Sequence, residues 1–156
     1  MPLDPGFRGG ERREQDRIGA GMSEFRAEVI AAPEPISGLI ERVMAFLDEA
    51  QVDARATHHV ALIVEEFLTN LGTHGNCRET PARITIAVEP HHVCGEIVDA
   101  GTPFDPRQAP APALDVAAED RPEGGLGLFL VRQLSATLDY ARRDGENRTR
   151  FTVARG

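Results

Sequence analysis

Residues 82–99 read ARITIAVEPHHVCGEIVD. Ala82, Ile84, Ile86 and Val88 point one way while Arg83, Thr85 and Glu89 point the other, the period of two that sends successive side chains of a strand to opposite faces. Pro90, His91 and His92 break the pattern, and VCGEIVD (93–99) resumes it as a second strand. Strands joined by so short a connection form a hairpin, and a hairpin is antiparallel. A sheet with one apolar face needs a covering layer, which the flanking segments must supply.

Upstream, FRAEVIA (25–31) reads as a short strand ended by Pro33 and Pro35. PISGLIERVMAFLDEA (35–50) carries Ile36, Leu39, Ile40, Val43, Leu47 and Ala50 at helical spacing. A second helix, 54–74, places Val60, Ile63, Val64, Phe67 and Leu71 on one face. Downstream, periodicity vanishes from Gly101 to Glu123, where five of the eleven prolines lie. So long a structureless stretch belongs in a compact domain as a functional loop or lid. GLGLFLVRQLSATL (125–138) then predicts a helix opened by glycines. LDYARRD and NRTRFTVAR, separated by Gly145 and Glu146, predict a closing hairpin. The order implies an α/β two-layer sandwich, a mostly antiparallel mixed sheet with helices on one face.

The chain's 156 residues are enough for one domain. Residues 1–22 hold five glycines and little to bury, so they read as a disordered leader with Met22 a candidate start, leaving 23–156 as the folded domain. With 41% hydrophobic and 27% charged residues, the composition is that of a soluble globular protein. No apolar run is long enough to span a membrane, and the N-terminus lacks a secretory apolar region. Cys77 and Cys94 have neither metal-ligand spacing nor the density of a disulfide scaffold, which points to a reducing, cytoplasmic location. The net charge of −8 speaks against direct nucleic-acid binding. All 17 basic residues are Arg, so phosphates would have to be held by backbone amides, arginines and a metal rather than by a lysine. His58-His59 and His91-His92 lack the spacing of metal ligands and read as surface or structural residues.

Three stretches carry candidate chemistry. In EEFLTNLGTHGN (65–76), Glu66, Asn70 and His74 stand at steps of four, on the flank of the apolar stripe and drifting about 40° per step toward its centre. That flank is where helix meets sheet, and by itself it suits a solvated edge ending in a cap at Gly75 as well as the wall of a cleft. In EIVDAGTPFDP (96–106), Asp99 shares parity with Val93 and Ile97. A carboxylate on an apolar face needs donors, a ligand amino group among them, although Asp-Ala-Gly also suits a plain turn. Gly101 permits close backbone approach. In GGLGLFLV (124–131), glycines expose backbone N–H groups at a helix start, an anion site. Leu130 and the preceding Pro-rich stretch exclude a dinucleotide fingerprint, and a lid hinge would use the same glycines.

Taken in order, E-x-x-x-N-x-x-x-H, D-x-G-x-P-F-D-P, a lid and G-G-L-G-L-F-L-V resemble the GHKL (Bergerat-fold, histidine-kinase-like) ATP-binding family, and within it the small bacterial anti-sigma-factor serine/threonine kinases of partner-switching pathways. The likeness runs from about residue 25 to 155 and implies a Bergerat-type ATP-binding kinase domain over 23–156. It implies Glu66 as general base, Asn70 as ligand of Mg²⁺ and the triphosphate, and His74 close to the nucleotide. Asp99 would accept the adenine amino group, with Gly101 beneath the base and Thr149 near it. Gly124, Gly125, Leu126 and Gly127 would form the lid and phosphate site, and Arg107 or Arg121 would supply cationic help.

Cofactors would be ATP and Mg²⁺. The partners would be a STAS-domain anti-anti-sigma protein, which is phosphorylated, and a sigma factor or other regulatory target, which is sequestered. A homodimer is expected, without membrane contact. A non-catalytic, ATP-regulated partner-binding module is the other reading. A sensor histidine kinase would show a phosphoacceptor helix before residue 25, and topoisomerases and chaperones of this fold need more chain. The chain departs from the family at Leu71-Gly72, where an altered pocket floor is expected, in its Pro- and Ala-rich lid, and in its leader.

Overall fold

A computed structural model describes residues 22–108, 117 and 125–156. The leader (save Met22), most of the lid, Arg121 and Gly124 lie outside the described residues. Strand β1 (Ser23–Val29) leads into helices α1 (Pro33–Glu49) and α2 (Ala54–His74), then strands β2 (Ala82–Val88) and β3 (His92–Asp99). A short 3-10 turn at Pro106–Gln108 precedes helix α3 (Gly125–Leu134) and strands β4 (Thr137–Arg143) and β5 (Glu146–Ala154). The strand order is β1-β2-β3-β5-β4. All four pairings are antiparallel, so the sheet formed by the described residues is antiparallel throughout rather than mixed.

Helix α1 begins at Pro33 rather than at Pro35. Proline is tolerated in a first helical turn, where its missing N–H would have had no partner. Asp53 caps α2, its carboxylate accepting from Ala56 N at 3.0 Å. The sheet's inner face carries Ile84, Ile86, Val93, Phe151 and Val153, buried against Val43, Leu47, Val60, Ile63, Val64 and Leu68 of the helices. Gly95 stands opposite Phe151 on the neighbouring strand, and the Phe151 ring occupies the space a Cβ at Gly95 would need. The outer face is polar: Arg83 pairs with Glu146 at 2.9 Å, and Arg148 and Arg150 converge on Glu96.

Two boundaries differ from expectation. Helix α3 stops at Leu134 instead of running to 138. Ser135 Oγ donates back to Val131 O at 2.6 Å, and Ala136 N donates to Thr152 O at 2.7 Å, which ties the chain to β5 before another turn can form. The closing hairpin turns at Asp144-Gly145, not Gly145-Glu146. Both turn residues have positive φ, 53° and 76°, the requirement of a two-residue turn matched to strand twist. Glu146 is therefore in the strand, paired with Arg143.

Candidate functional site

A cavity of about 160 Å³ opens between the C-terminal half of α2 and the ends of β3 and β5. Asn70 and His74 of α2, Asp99 of β3 and Thr149 of β5 all line it, as do Phe67, Leu71 and Ile97. Thr102, Pro103, Phe104 and Pro106, from the start of the lid segment, form another wall. Apolar walls around a few polar groups are the usual make-up of a small-molecule site.

The α2 spacing is only partly realised. A drift toward the apolar stripe would bury each successive side chain more deeply; Glu66 and Asn70 are half-buried, but His74, at the last residue of the helix, is exposed. Glu66 lies outside the cavity lining, one turn before Asn70, and its carboxylate rests against Gly127 of α3, where a Cβ would collide with it. Burial, and then the charge of Glu65, push the Glu66 pKa up.

At the α2 terminus Gly75 O accepts from Thr102 N at 2.9 Å and from Thr102 Oγ1 at 3.3 Å, fastening the segment after β3 to the helix end. Gly101 is buried at this junction: a Cβ there would stand 2.8 Å from Gly75 O and 2.9 Å from Asp99 Oδ1. Asp99 Oδ1 accepts from Gly101 N and from Asn147 Nδ2, each at 2.9 Å. Among the described residues no hydrogen bond reaches Asp99 Oδ2.

Leu71 and Gly72 do not act together. Leu71 lines the cavity, whereas Gly72 faces away from it, toward the Ala31 carbonyl, which a Cβ would strike. The glycine serves helix–loop packing, and any change to the cavity floor falls to Leu71. Arg107 is drawn to Asp105 at 2.9 Å and lies 4.0 Å from Asp139, so its guanidinium is engaged beside β4. Gly125 and Gly127 open α3 with Leu126 between them; Gly124 and Arg121 are outside the described residues.

Sequence reasoning missed Asn147 and the lid-side wall. Asn147 is buried, lines the cavity and precedes Thr149 by two residues, so strand parity alone would have placed both on the same face. Phe104, exposed though large and apolar, carries no such signal, because no period runs through its segment.

The cavity is thus built from three separated stretches of sequence. The family model of the histidine kinase-like ATPase domain matches residues 29–153. The serine/threonine-protein kinase BtrW of Bordetella bronchiseptica is 36% identical over 101 residues, covering 64% of this chain and 71% of BtrW. The structure of the RsbU and RsbW domains of Rv1364c from Mycobacterium tuberculosis superposes with a TM-score of 0.63 at 13% identity, over 85% of this chain and 32% of that one. A chain of the SiaB–SiaC complex from Pseudomonas aeruginosa gives a TM-score of 0.54 at 15% identity, over 99% of both. The two structures share the fold. Among the described residues no helix is long and apolar enough to cross a membrane. The family match spans most of the chain, and with the likeness to the serine/threonine-protein kinase BtrW it makes this protein a member of the histidine kinase-like ATPase (GHKL) family.

Proposed function

We propose that the chain is a protein serine/threonine kinase that uses ATP and Mg²⁺ to phosphorylate a STAS-type anti-anti-sigma protein, and that it sequesters a sigma factor or another regulatory target as a homodimer in the cytoplasm. The observation that carries this reading is the cavity beside α2. It offers an unengaged carboxylate oxygen, Asp99 Oδ2, at an apolar slot, with the Asn70 carboxamide and the Glu66 carboxylate following along one helix.

The residues present fit the nucleotide and its metal. An adenine ring suits the walls made by Phe67, Leu71, Ile97 and Phe104, and its amino group supplies the donor that Asp99 Oδ2 lacks. Asn70 offers an amide oxygen of the hard type that Mg²⁺ takes alongside phosphates and water. The bound nucleotide supplies the phosphoryl group and the metal the neutralising charge. Glu66 takes the proton from the partner's hydroxyl, and its raised pKa brings it nearer to neutrality, where a general base works best. His74, Thr149 and Gly101 would hold the nucleoside part, and Gly124, Gly125, Leu126 and Gly127 would hold the phosphates, since N–H groups at a helix start favour anions. Arg107 or Arg121 would supply cationic help to the triphosphate.

The test is transfer of label from [γ-³²P]ATP, in Mg²⁺ buffer, to STAS-domain proteins encoded in the same genome. One of them is expected to take up label on a serine or threonine. Glu66→Gln is expected to lower transfer at least about a hundredfold, the usual range for removing a general base, while ATP still binds. Full-rate transfer by Glu66→Gln would remove Glu66 from the role. Tight partner binding with no labelled product would leave an ATP-regulated binding module instead.

A further inference from the structure

Asp99, Asn147 and Arg142 stand in one row across three strands: Asn147 on β5 pairs with Asp99 on β3 and with Arg142 on β4. The charges at the two ends orient the amide between them. Its Nδ2 donates to Asp99 Oδ1 at 2.9 Å, to Thr102 O at 3.0 Å and to Gly101 O at 3.4 Å. Its Oδ1 accepts from Arg142 Nη1 at 2.9 Å and from the Tyr140 hydroxyl. Reversing the amide would set an oxygen against a carboxylate and two carbonyls, and a nitrogen against a guanidinium, so the network permits one orientation. Arg142 Nη1 also donates to Gly101 O at 3.1 Å, closing the ring of bonds around the Asp99–Thr102 turn. Asn147 is only 4% exposed.

From this we infer that Asn147 is a positioning residue that sets the nucleobase preference of the cavity, an inference that rests on the ATP-binding reading. Its amide, locked by Arg142 and Tyr140, engages Asp99 Oδ1 and so fixes the rotation of the carboxylate. The other oxygen, Oδ2, is thereby presented to the cavity as a pure acceptor, complementary to a 6-amino purine and repelled by a 6-oxo purine. Without the Asn147 donor only Gly101 N holds Oδ1, the rotation of the carboxylate is less firmly fixed, and Oδ2 is presented to the 6-position less selectively.

Calorimetric titration of the full chain with ATP and with ITP, in Mg²⁺ buffer, tests this in wild type, Asn147→Leu and Asn147→Asp. Wild type is expected to bind ATP at least about tenfold tighter than ITP, the worth of one hydrogen bond to a charged group. Both variants are expected to lose most of that ratio, ATP weakening at least about tenfold while ITP changes by less than about threefold. A purely structural role would weaken both nucleotides equally and leave the ratio intact, and that result would overturn the inference. Should neither Asn147 variant fold, Arg142→Gln, at an exposed strand position, releases the amide and is expected to lower the ratio about threefold; an unchanged ratio there also overturns it. If wild type binds neither nucleotide, the ATP-binding reading itself is what has failed.

Discussion

Glu66 differs from an ordinary surface glutamate in two ways. It is half-buried against Gly127, and it stands next to a second carboxylate. Burial, then Glu65, raises its pKa. A base must be deprotonated to act, so phosphotransfer is expected to fall away on the acid side at a pH above the ordinary glutamate value. Glu65→Gln removes the like charge and should move that acid limb to lower pH; an unmoved limb in the rate profile would mean Glu66 is not the titrating base. The thiols behave oppositely to reactive cysteines. Burial and then Glu89 push Cys94 up to about 11, and burial and then Asp99 raise Cys77. Alkylation requires thiolate, so both should resist iodoacetamide in the native protein at neutral pH and react once unfolded in urea. Fast native labelling followed by mass spectrometry would contradict this. At this scale the sequence was informative wherever a side chain repeats with its element. Steps of four and strand parity brought Asn70, His74 and Asp99 to one cavity, and the same parity, carried two residues back from Thr149, reaches Asn147. The engagement of Arg107 by Asp105 and Asp139 was not legible, because it depends on where an aperiodic segment comes to rest.

Elements were legible when their period was strong and blurred where two rules compete. The β2–β3 hairpin and α2 were readable almost to the residue, since each alternates or repeats without interruption. The end of α3 was not: GLGLFLVRQL continues into SATL without a glycine or proline stop, and what ends the helix is a tertiary bond from Ala136 N to Thr152 O. Gly72 shows the same limit in energetic form. Propensity alone says that Gly72→Ala should stabilise α2 by about 1 kcal/mol. The added methyl would strike the Ala31 carbonyl, a backbone atom that cannot swing aside, so the substitution is expected instead to destabilise by about 1–2 kcal/mol in urea unfolding. Stabilisation would show that the β1–α1 loop yields easily. Gly95→Ala drives a methyl into the Phe151 ring and should cost about 1–3 kcal/mol, with Phe151→Leu partly rescuing it by emptying that space.

For the whole molecule, stability is expected to reside in the layer between helices and sheet rather than on the sheet's charged outer face. The pairs Arg83–Glu146 and Glu96 with Arg148 and Arg150 are exposed on at least one side, and such pairs contribute roughly 0–1 kcal/mol each. Urea midpoints should therefore shift only slightly between low salt and half-molar salt; a large loss would assign the outer face a structural role it lacks here. The architecture was readable as a whole because hairpins, amphipathic helices and a glycine-opened helix agreed on one two-layer answer. Among the described residues the sheet is antiparallel throughout because β5 lies between β3 and β4, a matter of strand order that local pattern does not encode. The central claim is that the cavity beside α2 takes up ATP through Asp99. Isothermal titration of ATP in Mg²⁺ buffer into wild type and Asp99→Ala tests it most directly: saturable one-site binding by wild type, weakened at least about tenfold in Asp99→Ala, is the predicted result. No binding by the wild type, or equal affinity in the two proteins, would contradict it.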